Sequence, residues 1–289
     1  MASDARQPAV AGQFYEGERA ALVREIEGCY LDRRGPQALP QVDEDGVRQI
    51  IGLVSPHAGY AYSGPCAARG MSALAADGRP DVFVIIGPCH GRVPVNAIQT
   101  RGAWATPLGE SPIAEDVASA ILKGCSGLSD GAEGFAGEHS LEVQLPFLQH
   151  LYGTDLQFVP VMMLDQSLQA AQAVGDAVGA ALRACDAVII ASTDMTHFES
   201  AEVAERQDRL LIERMEALDP EGLLSEQRRR RITMCGYGAV AAMLYAARRL
   251  GASRARMLDY ADSGAVGRRA EVVAYLSLAV GWQWRAGGR

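Results

Sequence analysis

Five residues of this chain have the chemistry to hold or work on a metal ion, and four of them lie just after an apolar, strand-like run. His57 sits in SPHAGYAYSG after Ile50 to Val54, and His90 sits in GPCHG after Val82 to Ile86. Asp194 and His197 sit in STDMTHF after Ala187 to Ala191. Cys235 sits in MCGYG, ahead of a helical stretch. In open α/β sheets, ligands bind in the crevice at the carboxyl ends of the strands. Three such ends carrying imidazole, with a thiol added, predict one pocket around a metal ion.

Each residue also has a plainer reading. His57 follows Pro56 and precedes Gly59; a histidine in such a loop lines a site or packs in the core. His90 either faces the same pocket or caps the next segment. Cys89 is a rival thiol, but neighbours on an extended segment point to opposite sides. Cys235 can be a small core residue, the usual fate of a free cysteine. Its place before a helix predicts a lowered thiol pKa. Asp194 and His197 read as cap residues, or as a carboxylate orienting an acid–base imidazole. His139, in EHS, reads as a polar first turn of a helix or as a further imidazole facing the pocket. His150, in a leucine-rich helix end, has no assigned role.

These residues need strands and helices to hold them. Helices are expected over Glu18 to Tyr30, Ala67 to Ala76, Pro112 to Leu122, Ser140 to Tyr152, Leu168 to Ala184, Glu202 to Leu218, Pro220 to Gln227 and Ala239 to Leu250. Strands are expected over Ile50 to Val54, Val82 to Ile86, Phe158 to Met162, Ala187 to Ala191, Arg256 to Tyr260 and Val272 to Val280. Asp32 to Asp45 and Gly124 to Gly137 read as surface loops. Neither divides the chain into self-sufficient halves. The alternation predicts one α/β domain over residues 1–289, with helices on both faces of the sheet.

Composition narrows the function. The chain has 289 residues, 48% apolar and 21% charged, which suits a sizeable core and argues against disorder. A net charge of −8 gives no support to phosphate-driven nucleic-acid binding. The basic run Arg228 to Arg231 therefore reads as a solvated face. No window of eighteen apolar residues predicts a membrane span, and the first residues lack the order of a signal peptide. A cytoplasmic location is expected, with the six cysteines as free thiols. Neither a phosphate-binding glycine loop nor a GxSxG elbow is present.

Taken together, PAVAGQFY, SPHAGYAYSG, IIGPCHG, EHSLEVQLPFL, STDMTHF, MCGYGAV and DYADSG followed by VVAYLSLAV resemble the Memo family. In prokaryotes that family is also called AmmeMemoRadiSam system protein B. The resemblance runs from about Pro8 to about Gly281. It implies a class III extradiol dioxygenase-like fold, a central mixed sheet flanked by helices. It also implies a metal held by His57, His90 and Cys235, with His197, Asp194 and His139 as catalytic residues. Extradiol enzymes hold Fe(II) with two histidines and a carboxylate; here the Cys235 thiolate replaces the carboxylate. Fe(II) is the expected cofactor, with Cu or Zn made competitive by the soft sulfur. MCGYGAV lacks the proline that many prokaryotic relatives carry shortly after CG.

Three functions follow from the resemblance. One is a redox enzyme acting on a small aromatic or phenolic substrate, with His197 as base oriented by Asp194. Another is a non-catalytic adaptor for a peptide. The third is a metal-handling component working with a radical SAM protein and an AMMECR1-like partner.

Overall fold

The computed structural model describes residues 5–91, 95–267 and 270–282. In chain order the elements are α1 (Arg19–Leu31), β1 (Ile50–Ser55), α2 (Tyr60–Asp77), β2 (Val82–Pro88), β3 (Asn96–Ile98), β4 (Ala103–Thr106) and β5 (Gly109–Pro112). There follow α3 (Glu115–Gly124), β6 (Leu128–Asp130), α4 (Leu145–Tyr152), β7 (Gln157–Met163), α5 (Leu168–Ala181), β8 (Ala187–Ser192) and β9 (His197–Glu199). The chain continues through α6 (Ala201–Glu216), α7 (Pro220–Arg230), α8 (Tyr237–Arg249), β10 (Arg254–Asp262) and β11 (Val272–Gly281).

The most apolar strands form the centre. Every residue of β1 and β2 is buried, as are all but the first of β7 and β8. Strands covered on both faces need no alternation, and that suits parallel pairing. The sheet order is β10-β11-β1-β8-β2-β7-β3-β6, with β9 paired to β11. β1, β8, β2 and β7 are parallel, whereas β11, β10 and β3 join antiparallel. The result is a single α/β domain built on a central mixed sheet flanked by helices.

Crossovers place the helices. From β1 to β2 the chain moves one way across the sheet; from β7 to β8 it moves the other way. Right-handed connections then put α2 and α5 on opposite faces. α1 and α4 back α2, and α8 packs along α5 and against β2 and β8. Such a reversal opens a crevice at the carboxyl ends of the central strands. The registers Ser55↔Ser192 and Ile86↔Ala191 bring those ends level.

Several boundaries differ from the sequence expectation. The helix expected from Ala67 begins at Tyr60, because Ser63 donates to the Ala58 carbonyl and Pro65 is accommodated within the helix. The helix expected over Ser140 to Tyr152 is a 3₁₀ turn, Glu142–Gln144, followed by α4; Pro146 thereby falls in a first turn, where a missing N–H costs little. Pro112 ends β5, and α3 starts at Glu115. The loop expected over Gly124 to Gly137 contains β6 and a 3₁₀ turn. β3, the β4–β5 hairpin and β9 are too short to give a period.

An N-terminal strap pins the 133–142 segment. Glu142, fully buried, accepts from the Arg6 guanidinium, the Ala9 and Val10 amides and the Tyr15 hydroxyl. Arg6 also donates to the carbonyls of Phe135 and Glu138 and lies 4.2 Å over the Trp104 ring. On the other side, Asp208 of α6 supports the loop between β8 and β9. It accepts from the Thr196 amide and hydroxyl and from the Tyr260 hydroxyl.

Burial pushes the Asp208 carboxyl up to about 6, despite those donors. Its folded pKa is above its unfolded one, so its stabilising contribution is full below about pH 4 and is lost as pH rises through 6. Wild type compared with Asp208→Asn in urea melts should therefore lose about 2 kcal/mol between pH 4.5 and 7.5. A pH-independent difference would show that Asp208 ionises normally.

Candidate metal centre

Three site residues stand two positions past a strand. His57 follows the end of β1, His90 the end of β2 and Asp194 the end of β8. Level strand ends thus become level side chains. Cys235 arrives from the far side, just before α8. Its approach depends on Gly236, where a Cβ would fall 2.5 Å from the Ser192 carbonyl and 2.7 Å from Thr193.

The structure brings His57, His90 and Cys235 together, with one ligand atom of each within 4.8 Å of the others. The Cys235 sulfur is 3.2 Å from His57 Nε2. Bonds to one ion are about 2.0 Å from imidazole and 2.3 Å from thiolate, and a separation of that size is spanned by both. Two imidazoles and one sulfur are a donor set for zinc, copper or iron. The residues fit a metal ion, and this is a possible three-residue metal site.

Hydrogen bonds fix which nitrogen of each ring carries a lone pair. The Ser192 hydroxyl donates to the Ser140 carbonyl at 2.6 Å and accepts from the Gln144 amide at 2.9 Å. Its one hydrogen is used, so at 2.9 Å it accepts from His57 Nδ1–H. His57 Nε2 is left as an acceptor. Burial, then the neighbouring His139 and His90, push His57 well below the usual histidine range and keep it neutral.

His90 is fixed by Glu138. One carboxylate oxygen accepts the His90 amide at 2.6 Å, and the other lies 3.0 Å from Nδ1 and accepts the Ser140 amide. Burial raises the Glu138 pKa, but these donors outweigh it and hold the group at about 2. An ionised carboxylate only accepts, so Nδ1 carries the proton and Nε2 is free. Carboxylate–histidine pairs of this kind orient metal ligands and raise their basicity.

Cys235 departs from the sequence expectation. Burial and the nearby Asp194 push its thiol up rather than down, even though it precedes a helix. The Asp194 amide donates to the sulfur at 3.1 Å, and Gln166 accepts the Gly238 amide and donates to the Cys235 carbonyl. A bound cation is what would convert this thiol to thiolate.

His197 is half-buried beside the cluster. Its Nδ1 lies 2.7 Å from the Met195 carbonyl, which can only accept, so Nε2 again holds the lone pair. Met195 thus orients this ring. Asp194 uses Oδ1 to accept the His57 amide, with Oδ2 4.0 Å from His57 Nε2. Burial raises the Asp194 carboxyl above the usual range. His139 stacks on His90 at 4.6 Å, meets the Phe14 ring at 4.9 Å, and lies 3.6 Å from Glu138. Burial lowers its pKa. His150 sits apart, against Tyr30 and Glu27. Cys89 turns toward the Gly91 carbonyl.

Glu138, Ser192 and Gln144 escaped the sequence reading as orienting groups. For Glu138 and Gln144 the sequence signal is the density of polar residues in EHSLEVQ, of which the fold buries Glu138, Ser140, Glu142 and Gln144.

The profile of the Memo-like protein family covers residues 6–279. The chain belongs to the Memo family. A MEMO1 family protein of Methanopyrus kandleri is 44% identical over 277 residues, covering 94% of this chain and 98% of its own. Another, from Methanothermobacter thermautotrophicus, is 45% identical over 278 residues, with 94% and 99% covered. A solved structure of an uncharacterized protein from Escherichia coli K12 matches this Memo protein with a TM-score of 0.56 at 15% identity. It covers 81% of this chain and 100% of that one, a likeness of fold alone.

Glu138→Gln in this Memo protein should weaken Zn(II) and Co(II) binding roughly 10- to 100-fold, read by chelator competition. Unchanged affinity would show that His90 is oriented without the carboxylate. Cys235→Ala should abolish the thiolate-to-cobalt absorption band of the Co(II) form; a surviving band would exclude the sulfur as ligand.

Proposed function

We propose that this protein is a metal-dependent oxidoreductase acting on a small phenolic substrate, with the ion held by His57, His90 and Cys235. Fe(II) is the expected metal, and the soft sulfur makes copper or zinc competitive. The metal, when bound, would supply Lewis acidity and redox chemistry with dioxygen, in the manner of class III extradiol dioxygenases. The observation that carries this reading is the three-ligand cluster with the His197 imidazole near enough to act electrostatically on His57, its Nδ1 engaged by the Met195 carbonyl.

His197 takes the proton of a substrate hydroxyl at Nε2. The Met195 carbonyl keeps Nδ1 protonated throughout and shares the imidazolium charge that results. A base so placed contributes roughly 10²–10⁴-fold. Asp194 adds negative potential close to His197 and holds the His57 backbone in place. His139, partly exposed between Phe14 and His90, lines the approach and offers a hydrogen bond to substrate.

Anaerobic loading with Fe(II), Cu(I) and Zn(II), followed by oxygen-uptake assays with a panel of catechols, tests the reading. His57→Ala should lose metal and activity together. His197→Ala should keep the metal and lose at least about 100-fold in turnover. Full turnover in His197→Ala would remove it as the base. No oxygen uptake with any metal would overturn the enzyme reading in favour of a peptide adaptor.

A further inference from the structure

Phe198, next to the proposed base, has a conformation that its own surroundings do not repay. Its φ is +61°, the left-handed region that is unfavourable for a residue with a Cβ, and the residue is 74% exposed. An exposed ring returns no burial energy for that cost. The backbone is held there from both sides. The His197 amide donates to the Thr233 hydroxyl at 2.8 Å, that hydroxyl lies 3.2 Å from the His197 carbonyl, and β9 pairs with β11 through His197↔Val273 and Glu199↔Val272. Strain held in place beside reactive groups is a mark of function.

The exposed aromatic side chains among the described residues are Tyr62, Phe198 and Trp282. Trp282 has its indole N–H on the Leu250 carbonyl. The other two follow site histidines, Tyr62 five residues after His57 and Phe198 directly after His197. Phe198 stands 5.7 Å from the His197 ring, at 66° to it. Aromatic pairs engage at centroid separations of about 4.5–7 Å. Phe198 is thus the exposed ring adjacent to the imidazole that a substrate hydroxyl would meet under the proposed function.

We propose that Phe198 is a substrate-binding platform: its strained backbone presents the ring to stack on a planar aromatic ligand whose hydroxyl hydrogen-bonds His197. This rests on the proposed phenolic substrate. It adds that affinity for the ring depends on Phe198 and not on the metal ligands alone.

The test is anaerobic titration of the Fe(II)-loaded protein with 4-nitrocatechol, followed by absorbance, and with cyclohexane-1,2-diol, followed by calorimetry. Phe198→Ala should weaken 4-nitrocatechol roughly tenfold. It should leave binding of the saturated diol, metal content and thermal midpoint unchanged, and Phe198→Trp should restore the affinity. Phe198→Gly should raise the thermal midpoint by removing the left-handed strain while binding as poorly as Phe198→Ala. Equal 4-nitrocatechol affinity in wild type and Phe198→Ala overturns the platform and leaves the phenolic reading standing. No binding by the loaded wild type overturns both.

Discussion

The site depends on keeping protons on the outward nitrogens of three imidazoles. His57, His90 and His197 each meet, at Nδ1, a group with no hydrogen left to give: the Ser192 hydroxyl already spent on Ser140, the Glu138 carboxylate and the Met195 carbonyl. Each ring therefore presents a lone pair at Nε2. Were any of these partners a donor, the tautomer would reverse and a proton would sit where the Nε2 lone pair now points.

That constraint explains features that would otherwise look unrelated. A buried carboxylate such as Glu138 is costly unless several donors satisfy it, and it has three. The segment that carries it must then be held firmly, and Arg6 does so by reaching from the N-terminal strap to the Phe135 and Glu138 carbonyls and to Glu142. The same segment supplies Gln144, which donates to both Ser192 and the Pro56 carbonyl and so ties the β8 end to the β1 end. One short stretch thus sets the proton positions of two proposed metal ligands.

The opposite side of the cluster is organised differently. His197 stands on a short strand, supported by Asp208 through Thr196 and by Thr233 through the backbone. Fewer buried donors surround it, and the ring is half-exposed. Among the three proposed ligands exposure varies: His57 is buried, Cys235 is intermediate and His90 is exposed.

The sequence by itself determined the alternating α/β architecture, the buried central strands and the histidines that stand just past their ends. Those signals are local: apolar runs set the strands, and a histidine two residues past a strand end is placed by the strand. The fold's reversal of chain direction then brings Cys235 to His57, 178 positions earlier, which no spacing displays. Tertiary structure alone decided the tautomers, the raised Cys235 thiol and the roles of Glu138, Ser192 and Met195. It also moved the orienting partner of His197 from Asp194 to a carbonyl. Hydrogen-bond direction and burial depend on neighbours remote in the chain, and a residue's type names neither.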